Sequence, residues 1–394
     1  ACVYVIILVS LSMTLFTNLF KKEEGRALGV DIGSSSIKIV QIKKKNGQAV
    51  LETYGELALG PYGGVGVGQA VNLPTDKLAT ALNDLMKEKE VNVTTRKSGL
   101  SIPFSSSLMS VIEMPDVSQK QMAVMVPLEA RKYIPVPINE VVLDWSVIPK
   151  TEGGPQVNEE IEDQNPDIPR NQNIMEPAPA LAKTDVLVVA IHKETIARYQ
   201  EIVEKAGLEA GFFEIEIFST MRSVLDEALR PVLILDMGAA STKLYIVERG
   251  IIRTSHTVNR GSQDITSTIA QSLGLPLEQA EMKKREVGLL GQDKNLTDII
   301  GLTLDYIFAE VNTTMLSFEK KYNKKVSKVL MVGGGAALKG LAELAKNNLK
   351  TEVELGSPFN KISTPAFLDK VLRETGPEFA VSIGLALRKL AEES

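Results

Sequence analysis

An internal repeat constrains this chain more than anything else in it. Residues 27–53 run from an apolar strand ending in Asp-x-Gly, through a turn of small residues, into a strand that begins at a lysine, and residues 232–254 do the same. Asp31, Gly33 and Lys38 map onto Asp236, Gly238 and Lys243 with the same offsets, two and seven positions. Two such hairpins 205 positions apart imply a duplicated α/β protein whose two lobes enclose a cleft. The bulk composition agrees. A chain of 394 residues, 44% hydrophobic and 24% charged, is globular and long enough for two or three domains.

A tight turn of Gly, Ser and Ala leaves successive backbone N–H groups pointing outward, and such a nest binds anions. Two nests facing each other can grip a polyphosphate from both sides. Gly33, Ser34, Ser35 and Ser36 make the first, and Gly238, Ala239, Ala240, Ser241 and Thr242 the second, with the hydroxyls as extra donors. Lys38 adds a point charge for the phosphates. An aspartate at each strand end suits a nearby cation. Asp31 and Asp236 together fit Mg²⁺, which keeps most of its waters and takes one or two carboxylates plus phosphate oxygens, so contact through water is expected. One Asp-x-Gly turn alone would be an ordinary hairpin; the matched pair is what points to a nucleotide.

A third signal is VLMVGGGAALKG, where a buried strand runs into Gly333, Gly334, Gly335 and Ala336 before a helix. Glycines let backbone approach a flat ring, and a helix start favours phosphate; a plain strand-to-helix turn looks the same. Glu281 and Lys284 lie one turn apart on a helix face, where they could flank a nucleoside or form a surface ion pair. On the residues alone the ion pair is the simpler reading.

Several chemistries are excluded. With 44 Lys and Arg against 49 Asp and Glu, the net charge is −5, and no basic excess advertises nucleic acid. One cysteine, Cys2, and two histidines, His192 and His256, leave no disulfide framework and little for histidine-based catalysis. The glycine-rich stretch from Gly60 to Gly68 reads as a flexible, exposed loop; it lacks a following Lys-Ser/Thr and is no Walker loop. Elsewhere, Asn46-Gly47 predicts a hairpin turn, and helices are expected over 74–90, 118–134 and 193–205. On the second of these Met122, Met125, Val126, Ala130 and Tyr133 share roughly one face. Such a stripe is core packing by default, although Pro127 and the methionines leave room for an adaptable peptide groove. Trp145 reads as a half-buried packing residue. Residues 151–183, rich in proline, acids and amides, predict a disordered loop. The apolar run from Ala1 is broken by Ser10, Ser12 and Thr14, short of the span a bilayer needs.

Taken in this order, the motifs resemble the actin, heat-shock chaperone and sugar kinase superfamily. DIGSSSIK looks like its phosphate-1 segment, LDMGAAST like phosphate-2 and VGGGAALKG like the adenosine motif, while AEMKK looks like the Glu-x-x-Lys helix of the chaperone and FtsA branches. MTLFTNLFKK, PLEARKYIPVPINEVVLDW and PEFAVSIGLAL narrow the resemblance to the PilM family, the FtsA-related cytoplasmic component of type IV pilus assembly, over most of residues 13–391.

The resemblance implies a two-lobed actin-like ATPase fold of duplicated ribonuclease H-like domains, with an FtsA-type inserted 1C subdomain. In its terms residues 1–25 are an N-terminal extension, with Met13 the expected start and 1–12 upstream of it. Residues 26–104, 193–230 and 376–394 form subdomain 1A, 105–192 form 1C, 231–263 and 324–375 form 2A, and 264–323 form 2B. It implies ATP and Mg²⁺ in the cleft, with Glu281, Lys284, Gly333, Gly334, Gly335 and Ala336 around the adenosine. It also implies a groove that captures the N-terminal peptide of a PilN-like inner-membrane protein, for which Met122, Met125, Val126 and Tyr133 are the expected residues. Other pilus-platform components and self-association are further expected contacts. The protein would be cytoplasmic and peripheral to the inner membrane through that partner.

Two departures temper the implied activity. Ala239 stands where actin has a second phosphate-2 aspartate, and no group that orients an attacking water is evident. Glu216, aligned with the acidic residue of the chaperones' Asn-Glu-Pro segment, is the catalytic candidate, although Ile217 replaces the proline and a charged strand-end residue is the alternative. Slow or negligible hydrolysis is therefore expected. An FtsA-like, membrane-associated division protein is a rival reading, and the polar ALRKLAEES argues against its membrane helix. A small-molecule kinase is another, and its base candidates, Asp116 and Asp144, both fall in the inserted segment.

Overall fold

A computed structural model describes residues 25–148, 182–226, 229–291 and 293–393. The apolar N-terminal run, Met13 and all but the last two positions of the expected 151–183 loop lie outside the described residues.

The repeat becomes two five-stranded sheets of one topology. The first contains β1 (Arg26–Ile32), β2 (Ser36–Lys45), β3 (Gln48–Ala58), β4 (Lys97–Ile102) and β8 (Glu209–Ile215), in the order β3-β2-β1-β4-β8. The second contains β9 (Val232–Met237), β10 (Thr242–Glu248), β11 (Ile251–Val258), β12 (Lys328–Val332) and β13 (Glu352–Leu355), in the order β11-β10-β9-β12-β13. In each, three strands form an antiparallel meander and the other two add in parallel. The meanders need only tight turns: Asn46 and Gly47 both take positive φ, 52° and 80°, as a two-residue hairpin with the right twist requires. The motifs fall in register, with Asp31 opposite Lys38 and Asp236 opposite Lys243.

Parallel pairing needs long crossovers, which here carry helices. The first lobe has α1 (Thr75–Lys87), α3 (Lys193–Lys205), α4 (Glu216–Val224), α9 (Asp369–Thr375) and α10 (Ala380–Glu392). The second has α5 (Ser262–Leu273), α6 (Leu277–Val287), α7 (Lys294–Tyr322) and α8 (Leu341–Leu349). Strand β9 is buried along its whole length, which explains why Val232–Leu235 reads as an apolar run rather than an alternating one. Helix α10 belongs to the first lobe's core. It lies so close to β1 that a Cβ on Gly29 would come within 1.8 Å of the Ser382 carbonyl oxygen, and Ile383, Leu385 and Ala386 are fully buried. Buried Glu214 joins α10 to α4, accepting from Arg388 Nη1 at 2.6 Å and Arg222 Nη2 at 2.8 Å.

The described residues between 109 and 190 form a separate compact unit. It is built on a three-stranded sheet of β5 (Ser107–Pro115), β6 (Val141–Val147) and β7 (Lys183–His192), in the order β5-β7-β6, with helix α2 (Gln119–Ala130). A Ser118/Gln121 capping box starts α2. The helix stops four residues short of 134, because Pro135 disfavours helical geometry at the residue before it. The expected groove residues do not share one surface. Met122 and Val126 are buried together with Ala130, Met125 is half-buried and Tyr133 is exposed. An i, i+4, i+8 stripe of this kind serves the unit's own core. The architecture is α/β, two duplicated lobes with an inserted unit, as the actin-like ATPase fold requires.

Candidate functional site

The two Asp-x-Gly turns face one cavity of about 340 Å³, within the range of small-molecule sites. Asp31, Gly33, Ser34, Ser35, Ser36 and Lys38 line it from the first lobe, and Asp236, Gly238, Ala239, Ala240, Ser241 and Lys243 from the second. In both turns the glycine N–H closes the hairpin on a carbonyl three residues ahead, Gly33 on Ser36 and Gly238 on Ser241, each at 3.0 Å. Successive carbonyls are then fixed from outside the turn. Ser34 O and Ser35 O accept from the Val71 and Leu59 amides at 2.9 and 2.8 Å. Gly238 O and Ala239 O accept from the Ser262 and Gln263 amides, at the start of α5, at 2.9 and 3.0 Å. A planar trans peptide sets N–H opposite C=O. The anchored carbonyls therefore aim the amides of Ser35, Ser36, Ala239 and Ala240 away from their anchors, which is the arrangement an anion nest needs.

Two expected residues do not reach the cavity. Thr242 is fully buried and its hydroxyl donates to Arg260 O at 2.8 Å, while Ala336 is buried in the second lobe's core. The glycine-rich loop differs from expectation in a more consequential way. It hangs from the first phosphate turn at both ends, through Leu59 and Val71, and its far side touches the second lobe. Ala70 N–H donates to Gln263 Oε1 at 3.0 Å, and a Cβ on Gly68 would lie 2.6 Å from Glu281 Oε1. Tethering, not flexibility, is its character.

The carboxylates show where a cation belongs. Glu216, the first residue of α4, accepts from the Phe104 amide at 2.6 Å and from Lys243 Nζ at 2.7 Å. The same ammonium lies 3.5 Å from Asp236 Oδ2. Burial acts to depress the Lys243 pKa, but Asp236 and Glu216 outweigh it and hold the group protonated, above its ordinary value. Asp31 accepts from Ser101 Oγ at 2.7 Å. Its pKa is pushed up to about 6, first by desolvation and then by the charge of Glu216. The equivalent lysine of the first lobe acts differently: Lys38 donates to Ser36 Oγ at 2.6 Å and pairs with Glu56 at 2.9 Å. Beside it Glu378 is pushed up to about 7, by burial and by the neighbouring Glu56. The resident cation at the aspartates is thus Lys243, a role the sequence reading gave entirely to Mg²⁺. Among the described residues no cluster of three or more His, Cys, Asp or Glu could enclose a metal. Asp31 and Asp236 do line the same cavity, and an aspartate whose charge is disfavoured gains most from a divalent neighbour. The pair therefore fits a Mg²⁺ whose remaining ligands are water and phosphate.

On the opposite side Glu281 and Lys284 pair at 2.7 Å. This is an ion pair, as the simpler reading held, but a buried one in the cavity wall. Thr266 Oγ1 donates to Glu281 at 2.6 Å, and Lys284 donates to Ser262 O at 3.1 Å, tying the pair to the helix that anchors the second turn. Gly333, at φ 84°, could carry no side chain: a Cβ there would meet Asp236 Oδ1 at 2.5 Å. Gly334 and Gly335 line the cavity beside it. Sequence reasoning missed Glu56, Arg285, Gln263 and Glu378. For Lys243 the repeat offset was the available signal, for Arg285 the i, i+4 spacing to Glu281 and for Glu56 the hairpin register opposite Lys38; Gln263 and Glu378 have none, since their partners are remote in the chain.

The family described as type IV pilus assembly protein PilM matches residues 29–162 and 172–390. Cell division protein FtsA of Streptococcus pneumoniae is 22% identical over 373 residues, covering 87% of this chain and 78% of that protein. FtsA of Neisseria meningitidis is 22% identical over 378 residues, covering 86% of each. A solved PilM-PilN type IV pilus biogenesis complex is similar at 26% identity and a TM-score of 0.74, covering 92% of this chain and 98% of that one. MreB5 of Spiroplasma citri bound to AMPPNP, at 10% identity and a TM-score of 0.51, shares the fold over 94% of this chain and 98% of its own.

Proposed function

Since the chain belongs to the family of type IV pilus assembly protein PilM, we propose that it is an ATP-binding scaffold of the pilus inner-membrane platform. One observation carries the nucleotide half of this reading: two hairpins with the same closing bond, each with two carbonyls anchored from behind, line one cavity. The amides of Ser35, Ser36, Ala239 and Ala240 would hold the phosphates, with Ser34, Ser241 and Lys38 adding donors. Asp31 and Asp236 would hold Mg²⁺ through water, and the metal would supply charge neutralisation between the phosphates. The adenosine would lie between the Glu281–Lys284 face and the Gly333–Gly335 turn.

Slow turnover follows from Glu216. One of its carboxylate oxygens takes the Phe104 amide and the other the Lys243 ammonium, so it is poorly placed to orient a water. ATP would then act as a structural ligand that keeps the lobes together.

The partner half rests on the similarity to the PilM-PilN complex. We infer capture of the cytoplasmic N-terminal peptide of a PilN-like inner-membrane protein, which would hold this chain against the membrane. No helix among the described residues is long and apolar enough to cross one. Because Met122 and Val126 are committed to the core, the inserted unit would offer Met125, Tyr133 and the exposed Val124 and Leu128 to a peptide.

Calorimetry tests both halves. Mg·ATP is titrated first, then a synthetic peptide of the membrane protein's N-terminus. Saturable one-to-one heats in both steps are expected, the second weakened by Tyr133→Ala. A silent peptide step after normal ATP binding sinks the partner; a silent ATP step sinks the site.

A further inference from the structure

Helix α7 presents an apolar stripe to solvent that the cleft does not explain. Its inner face supplies the second lobe's core through Leu296, Ile300, Leu304, Ile307, Val311 and Phe318. On its outer face Leu302, Tyr306 and Leu316 are 68%, 51% and 57% exposed, and Ala309 and Thr313 between them are exposed too. The positions 302, 306, 309, 313 and 316 step by four, three, four and three. That is the heptad spacing of a helix seam, laid on the side facing away from the lobe.

The charges on this face say what covers it. Exposed Asp298 stands eleven residues before Ala309 and exposed Lys320 eleven after it. Leu302 and Leu316 stand seven before and seven after. Tyr306 and Thr313 are symmetric to within one residue. Turned end for end about Ala309, the stripe matches itself: leucine falls on leucine, aspartate on lysine and the small alanine on its own copy, where two helices must come closest. An isologous two-fold contact demands this self-complementarity, and a different partner gives no reason for it. An anionic membrane surface fits poorly, because Asp298 and Asp305 sit within the face that would have to be basic-flanked.

We propose that α7 is a self-docking surface, through which two copies of this chain pair antiparallel about a dyad at Ala309. The seam from 298 to 320 spans about 33 Å at the rise of an α-helix. Few apolar side chains lie in it, so the pairing is weak, populated at roughly tens of micromolar. It becomes substantial where a membrane-bound partner concentrates the chain.

A charge exchange on the full chain decides the matter by sedimentation equilibrium. Asp298→Lys and Lys320→Asp each set like charges together twice per dimer and should weaken association about tenfold or more. The double variant D298K/K320D restores both pairs reversed and should return to within about threefold of the unaltered chain. In a Cys2→Ser background, Ala309→Cys should form a disulfide-linked dimer under mild oxidation, which only a dyad near 309 allows. A chain that stays monomeric to about ten times the expected constant overturns the proposal. So does a double variant no better than either single, or a dimer that the Ala309→Cys substitution does not cross-link; the last two outcomes would assign the face to another occupant.

Discussion

Removal of the Lys243 ammonium is the sharpest perturbation the cleft offers. In Lys243→Met the side chain keeps its length and loses its charge, and Glu216 at 2.7 Å and Asp236 at 3.5 Å lose their partner. At an effective dielectric of about 20 the two attractions are worth roughly 6 and 5 kcal/mol gross, against a desolvation penalty of several kcal/mol for the ammonium itself. The orphaned carboxylates have an escape, since each can take up a proton. From an ordinary value near 4.4, protonation at pH 7.5 costs about 4 kcal/mol per group. A loss of about 3–5 kcal/mol is therefore expected at pH 7.5 without metal. The sign with pH follows: the variant's folded carboxylates bind protons more readily than the unfolded ones, so its deficit shrinks as pH falls, to about 1.5 kcal/mol at pH 5.5. Urea unfolding in EDTA at the two pH values reads both numbers. A variant within about 1 kcal/mol of the unaltered chain at pH 7.5, or an equal deficit at both pH values, would refute the assignment of Lys243 as the resident counter-ion. Mg²⁺ with ATP should narrow the gap, because the metal supplies the missing charge.

The remaining expectations concern two buried carboxylates, Asp31 and Glu214. Asp31, raised to about 6 from 3.8, imposes a folding penalty that is absent below its ordinary pKa and complete above about pH 6. D31N should therefore stabilise the metal-free protein by about 2 kcal/mol at pH 7.5, and by much less at pH 5, while removing the Mg²⁺-dependent part of ATP affinity. In the unaltered chain the apparent Mg²⁺ affinity should fall about fourfold between pH 7.5 and 5.5 as Asp31 takes its proton; titration calorimetry at both pH values checks it, and a pH-independent affinity contradicts it. Glu214 is the opposite case. Burial raises its pKa, but Arg222 and Arg388 outweigh this and hold it below the ordinary value, so its contribution stands above about pH 4.5 and fades as pH falls through the depressed pKa. Glu214→Ala strands two arginines and should cost about 3–5 kcal/mol in urea unfolding. ATP binding by the folded fraction should be unchanged.

What could be read in the sequence was local, or local twice over. The Asp-x-Gly hairpins were legible because their geometry is set within a few residues and then repeated, and the helices at 75–87 and 193–205 because their apolar spacing is regular. The end of α2 was misplaced, since periodicity continued to Tyr133 while Pro135 had already closed the helix. The ammonium beside Asp236 was only half legible for a related reason. The offset located Lys243, but only the fold shows it turned toward Glu216 while its counterpart Lys38 turns toward Glu56. The tether of the glycine-rich loop was out of reach altogether, because Ala70 meets Gln263 across 193 positions of chain. No pattern within the loop encodes that meeting.

The seat of α10 against Gly29 bears on how the chain comes to exist at all. Strands and helices of the second lobe form one continuous stretch from Val232 to Leu355, whereas the first lobe gathers residues 26–102, 193–224 and 369–392. At about 5–20 residues per second on the ribosome, roughly ten to thirty seconds separate Val224 from Ala380. Throughout that interval β1 has no helix on the face that Ser382 and Ala386 will cover, and Ala27, Val40 and Ile42 on that side of the sheet stand open. The lobe made second is thus free to finish first, and the older one waits for residues 380–392. A nucleotide would meet a complete cleft only once residues 380–392 have been made.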